Sequence, residues 1–127
     1  MPLARSIGIR ADEYTPERVV LALDWAAGLC TVGGILHGGV IMALADSAGG
    51  ACALLNLPSD ASGTSTIESK TNFLGAVRGG TVTATSTPLH RGRTTIVVET
   101  SVTDSSGKLV AKTTQTQMVL RATRSIS

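Results

Sequence analysis

Residues 38–55, GGVIMALADSAGGACALL, form one long apolar run that carries a single charge, Asp46. Its only other polar side chain is Ser47, which is small. The run approaches the length of a membrane span, but an Asp at mid-span costs about 2.5–3.5 kcal/mol on insertion scales. Strand-like patterns also flank it on both sides, so it reads as the buried helix of a water-soluble fold. A helix apolar all round is normally enclosed all round. One sheet covers one face only, which points to a second chain covering the rest.

RVVLALDWA (18–26) reads as a strand, preceded by a short strand at about 5–12. The glycine-containing loop GLCTVGGIL leads into the helix, and LPSDASG leads out of it. Four strand-like runs follow, at 64–74, 80–90, 94–104 and 108–121. In the third, Ile96, Val98 and Val102 share one face and Glu99, Ser101 and Thr103 the other, the period-two pattern of a half-buried strand. The breaks VRGG (77–80), HRGR (90–93) and DSSGK (104–108) are short, contain glycine and read as hairpin turns. Serial strands with short turns imply an antiparallel sheet with the one helix laid against it, an α+β architecture. At 127 residues, with no linker or repeat, the whole chain, 1–127, is expected to be one domain.

Composition removes several function classes. Tyr14, Trp25 and Phe73 are the whole aromatic set, too few to stack nucleic-acid bases. A net charge of +2 does not call for a polyanionic partner. Cys30 and Cys52 form no CxxC motif, and two reduced thiols in a cytoplasmic protein is the plainer reading. The first residues, MPLARSIGIRADEY, lack the apolar core of a signal peptide. His37 and His90 are the only histidines and no Cys/His cluster exists, so no metal site is expected. Neither a G-x-S-x-G elbow nor a phosphate-binding glycine fingerprint is present.

Asp46 therefore needs an explanation. A buried carboxylate is retained when it is paired or used, and no cation lies close to it in sequence. A satisfied structural hydrogen bond, or a place at a solvent-facing helix edge, competes evenly with a functional role. His37-Gly38-Gly39 precedes the apolar run, and its glycines leave backbone N–H groups unobstructed at a helix N-terminus. Such a terminus carries about half a positive charge and suits a developing oxyanion, so Gly38 N–H is a candidate donor to an ester or thioester carbonyl. Gly38 and Asp46 are about 12 Å apart at 1.5 Å per residue. Groups serving one carbonyl must each lie within about 3 Å of it. If both are catalytic, they come from different chains, as in two helices packed antiparallel across a two-fold axis.

These residues resemble the hotdog-fold acyl-CoA thioesterases, in the PaaI-like branch that includes one type of 4-hydroxybenzoyl-CoA thioesterase. The resemblance runs from about 18 to 121 and rests on LHGGVIMALADSAGGA, SKTNFLGAVRGGTVTATSTPLHRGRTT and DSSGKLVAKTTQTQMVL. It implies a sheet wrapped round a long central helix, a homodimer or a dimer of dimers, and hydrolysis of an acyl-CoA to free acid and CoA. Coenzyme A would enter as part of the substrate, with no separate cofactor and with neither nucleic acid nor membrane as a partner. By position, Asp46 is similar to the family's carboxylate, acting as nucleophile or as base for water. Gly38 matches the backbone donor to the carbonyl and His37 the residue that shapes the loop. Ser65 or Thr66 lies where some relatives place a hydroxyl that positions water. Arg91, Gly92 and Arg93 would meet the phosphates of CoA, with a solvated basic hairpin as the competing reading.

The family's Asn or Gln six residues before the His is here Thr31, whose hydroxyl has a shorter reach. Three readings stay open: a different use of Thr31, reduced turnover, or a different substrate. The N-terminal helix common in relatives is expected to be shortened. Two alternatives to hydrolysis also stand, a hotdog dehydratase or hydratase acting on acyl thioesters and a non-catalytic acyl-thioester-binding protein. Of the remaining residues, Arg78 reads as surface charge, His90 as a turn residue, Asn72 and Phe73 as sheet packing, and Trp25 and Met42 as core or interface.

Overall fold

The computed structural model describes residues 1–122. In chain order they form α1 (Pro2–Ile7), β1 (Arg10–Tyr14), β2 (Val19–Asp24), two single 3-10 turns, α2 (Gly38–Leu55), β3 (Gly63–Phe73), β4 (Thr81–Arg91), β5 (Thr95–Thr103) and β6 (Leu109–Leu120). The strands make one six-stranded sheet in the order β1-β2-β4-β5-β6-β3, antiparallel throughout. α2 lies across one face and touches every strand from β2 to β6. This is the hotdog architecture, and α2 occupies the apolar run.

Two local expectations need correction. Residues 5–7 are helical rather than extended, because Pro2 opens α1 and Gly8, at φ 84°, closes it in the left-handed region. The strand begins only at Arg10. VRGG is also not a hairpin. β3 pairs with β6 at one edge of the sheet, so residues 74–80 cross from that edge to β4, which sits between β2 and β5. The crossing is built in: Val77 is buried, and its carbonyl accepts from Leu36 N at 2.8 Å. HRGR and DSSGK do join sheet neighbours, β4 to β5 and β5 to β6.

The core is made where the inward faces of β2, β4 and β5 meet Ile41, Leu44, Ala45, Ala48 and Cys52 of α2. Small residues on the helix let it approach the sheet closely. That inward sheet face is not wholly apolar. Ser86, Thr100 and Thr113 are fully buried and stand in register across β4, β5 and β6, with Thr71 of β3 next in the row. Ser86 and Thr100 hydrogen-bond to each other, as do Thr71 and Thr113 at 2.8 Å. A buried hydroxyl is tolerated because it has a partner. Thr100→Val should therefore cost about 1–3 kcal/mol by orphaning Ser86. Adding Ser86→Ala should recover most of that loss in denaturant unfolding.

Among the described residues, no layer of sheet or long helix covers the other side of α2. Gly39, Met42, Asp46 and Leu54 are exposed along it, Leu54 to 51%. Nearby β3 is an edge strand, and its Ile67 and Phe73, with Leu74 just beyond its end, are each at least half exposed. Ile67 sits at a bulge in the β3–β6 ladder.

Candidate active site

The entry to α2 is held from several directions. Trp25 Nε1 donates to the Gly34 carbonyl at 3.0 Å, and His37 N donates to the Leu29 carbonyl at 3.0 Å. Thr31 is exposed in this loop, with its backbone N–H bonded to the Ile35 carbonyl at 2.8 Å. His37 is the N-cap, and its Nδ1 accepts from Gly39 N at 2.8 Å. That bond assigns the proton of the neutral ring to Nε2. The two glycines are crowded to different degrees. A Cβ at Gly39 would stand 2.9 Å from His37 Nδ1, and one at Gly38 would stand 3.3 Å from the Phe73 ring. The N–H of Gly38, first residue of the helix, has no protein acceptor among the described residues. It is a free donor at the positive end of an 18-residue helix.

Asp46 lies two turns further along α2. Its carboxylate reaches the helix surface, and Oδ1 accepts from Gln115 Nε2 of β6 at 2.5 Å. The helix-edge position and the structural hydrogen bond foreseen for it thus occur together. It forms no ion pair among the described residues. Asp46 opens onto a cleft of about 410 Å³ lined also by Met1, Tyr14, Ser47, Gly50, Leu54 and Thr64. Ser47 turns its hydroxyl back to the Ala43 carbonyl at 2.7 Å and is occupied there.

The remaining sequence candidates lie around this cleft and beyond it. Ser65 and Thr66 are exposed on β3, and Thr66 Oγ1 accepts from the buried Gln117 Nε2 at 2.7 Å. Their neighbour Thr64 is the β3 residue that lines the cleft. Arg91 ends β4, and Gly92 and Arg93 make the turn into β5. A Cβ at Gly92 would meet the Thr95 carbonyl at 2.5 Å, so the tight turn requires glycine. Arg121 donates to the Arg93 carbonyl at 2.8 Å and pairs with Asp60 at 2.8 Å. That hydrogen bond holds the Asp60 carboxyl below the usual range. The turn lies by the C-terminal half of α2: burial pushes the Cys52 thiol up, and the charge of Arg91 pulls against it.

Gln115, Tyr14, Met1 and Thr64 were not singled out from the sequence. Gln115 shares strand parity with Ala111 and Val119, but Val110, Met118 and Leu120 lie on the other parity, so the alternation of β6 does not single it out.

A family model, thioesterase superfamily, matches residues 33–111. The Saccharolobus solfataricus protein SSO2140 is 38% identical over 91% of this chain and 81% of its own length. The 1,4-dihydroxy-2-naphthoyl-CoA hydrolase of Listeria monocytogenes is 32% identical over 87% of this chain and 89% of its own. Among solved structures, thioesterase HI1161 from Haemophilus influenzae superposes with a TM-score of 0.88 at 26% identity, covering 94% of this chain and 82% of that one. The matched region contains the whole of α2, and with it the free donor at Gly38 and the carboxylate of Asp46. The chain belongs to the thioesterase superfamily.

Proposed function

We propose that the protein hydrolyses acyl-CoA thioesters in a site shared by two copies of the chain. One observation carries this reading. A single helix presents a free backbone donor at Gly38 and a hydrogen-bonded carboxylate at Asp46, and Met42, Asp46 and Leu54 along its outer face are exposed among the described residues. The two groups are about 12 Å apart on that helix, too far for one carbonyl. Laying two α2 helices side by side, antiparallel, would set Asp46 of each copy against Gly38 of the other. The same pairing would cover Met42, Leu54 and the exposed apolar residues of edge strand β3. The substrate class is supported by the Listeria monocytogenes relative, whose name is that of a CoA-thioester hydrolase.

In the general-base route, Asp46 takes a proton from water as the oxygen attacks the thioester carbon. Gly38 N–H of the second copy holds the oxyanion that forms. Collapse breaks the C–S bond, and the CoA sulfur leaves with the proton, giving acid and thiol. In the nucleophilic route, Asp46 attacks first, CoA leaves, and water then cleaves the mixed anhydride. Arg91 and Arg93 offer charge to the CoA phosphates, and no other cofactor takes part. Two unpaired thiols, Cys30 and Cys52, fit a cytoplasmic setting.

The test is free-thiol detection across saturated, aromatic, enoyl and 3-hydroxyacyl-CoA thioesters, with sedimentation to read the assembly. Thiol release matched by equal acid is expected. Hydration of the enoyl substrate without thiol release would instead establish the dehydratase or hydratase reading. Tight CoA binding with no turnover would establish the binding protein.

A further inference from the structure

We infer that Gln115 is a positioning residue for Asp46, fixing which of its two carboxylate oxygens meets the substrate; this rests on the hydrolytic role of Asp46 proposed above. Gln115 stands on β6 between Val98 of β5 and Ser69 of β3, and its side chain is fully buried under α2. Nε2 reaches out of the core to Asp46 Oδ1 at 2.5 Å. With Oδ1 held, the lone pairs of Oδ2 are left for a water proton or a thioester carbon. The bond also joins a mid-helix side chain to the middle of β6, the strand next to edge strand β3, and so restrains the carboxylate on the open helix face.

The cost of this arrangement shows that it is not built for stability. Gln115 Oε1 is buried and has no hydrogen-bond partner, the one such side-chain atom among the described residues. It is pressed against Gly49, where an added Cβ would stand 1.9 Å from it. A leucine of similar volume would serve the core better, since it leaves no orphaned acceptor. Gly49 is likewise a poor helix residue, and it makes room for the amide. Two locally unfavourable residues, on different elements, have in common only that they let Nε2 reach Asp46.

The experiment compares Gln115→Leu, Gln115→Glu, Gly49→Ala and Asp46→Asn with the native protein, on the thioester it cleaves fastest. Gln115→Leu should lose about 10- to 100-fold in kcat with KM little changed, while its thermal midpoint holds or rises. A purely structural glutamine predicts the opposite, a lower midpoint with kcat of the folded fraction intact. Gly49→Ala should lose kcat similarly, by pushing the amide aside.

Gln115→Glu supplies a pH signature. Besides Asp46 and the carboxyl introduced at 115, the titratable groups at the cleft are Tyr14 of β1 and the amino group of Met1. No Lys, Arg or His pairs with Asp46 among the described residues. A carboxyl introduced at 115 can donate only while protonated, and two carboxyls at this distance hold a shared proton. Turnover should therefore survive at low pH and fall as that proton leaves, a limb that native protein and Gln115→Leu both lack. Native kcat in Gln115→Leu, with activity lost in Asp46→Asn, overturns the inference alone. Native activity in Asp46→Asn, or no thioester cleaved by the native protein, overturns it together with the proposed function.

Discussion

Asp46→Asn is expected to lower kcat/KM for thioester hydrolysis by about 100- to 10,000-fold, the range for loss of a positioned base. The size follows from chemistry rather than from folding. Asn matches Asp in shape, and its carbonyl oxygen can still accept from Gln115 Nε2, so no donor is orphaned. The position is at the helix surface, so no buried ion pair is broken. The amide can neither take a proton from water nor attack the thioester carbon. Thiol release from the matched pair of proteins measures the effect, and sedimentation and thermal unfolding should not distinguish them. Turnover at the native rate would remove Asp46 from the chemistry.

Gly38→Pro is expected to lower kcat by about 100- to 1,000-fold, the effect of deleting one oxyanion donor. Proline removes the N–H and nothing else of the helix ladder, because the first residue of a helix has no intrahelical acceptor for it. The preceding residue is already extended: His37 has ψ 133°, inside the range that proline favours in its neighbour and away from the helical ψ it excludes. The new ring carbon would press on Phe73, an exposed side chain free to turn away. Mixing this chain with Asp46→Asn gives the sharper result. Each mixed dimer would hold one site with both native groups and one with neither. Random reassortment of equal amounts should then recover about a quarter of native activity from two nearly inactive proteins. Without recovery after verified subunit exchange, the two groups do not meet across chains.

How far the sequence could be read depended on whether burial and polarity agreed. They agree in α2, where eighteen residues of small apolar character begin at His-Gly-Gly, and the helix lies where that run lies. They agree in β5, where Ile96, Val98 and Val102 face inward as their alternation requires. They disagree in β6. Thr113, Gln115 and Gln117 are buried there while Met118 and Leu120 are exposed, so the polar residue nearest the carboxylate sits on the face that polarity assigns to solvent. Turn chemistry was similarly local. A glycine pair at 79–80 marks a change of direction and not which strand comes next, so the crossing from β3 to β4 had the same signature as a hairpin. The cleft depends on Tyr14 and Thr64, which are fifty residues apart in sequence and are joined only by the fold.

Because Gly38 and Asp46 ride on one unbroken helix, their separation and relative angle are set as on a ruled screw. Inserting a single residue between them would advance Asp46 by about 1.5 Å and turn it by about 100°. It would then point away from Gln115 and from the cleft together. An insertion of seven residues, close to two turns, restores the angle but lengthens the span by about 10 Å. Substitutions along residues 39–45 are thus judged one side chain at a time, whereas a change in their number displaces the whole site.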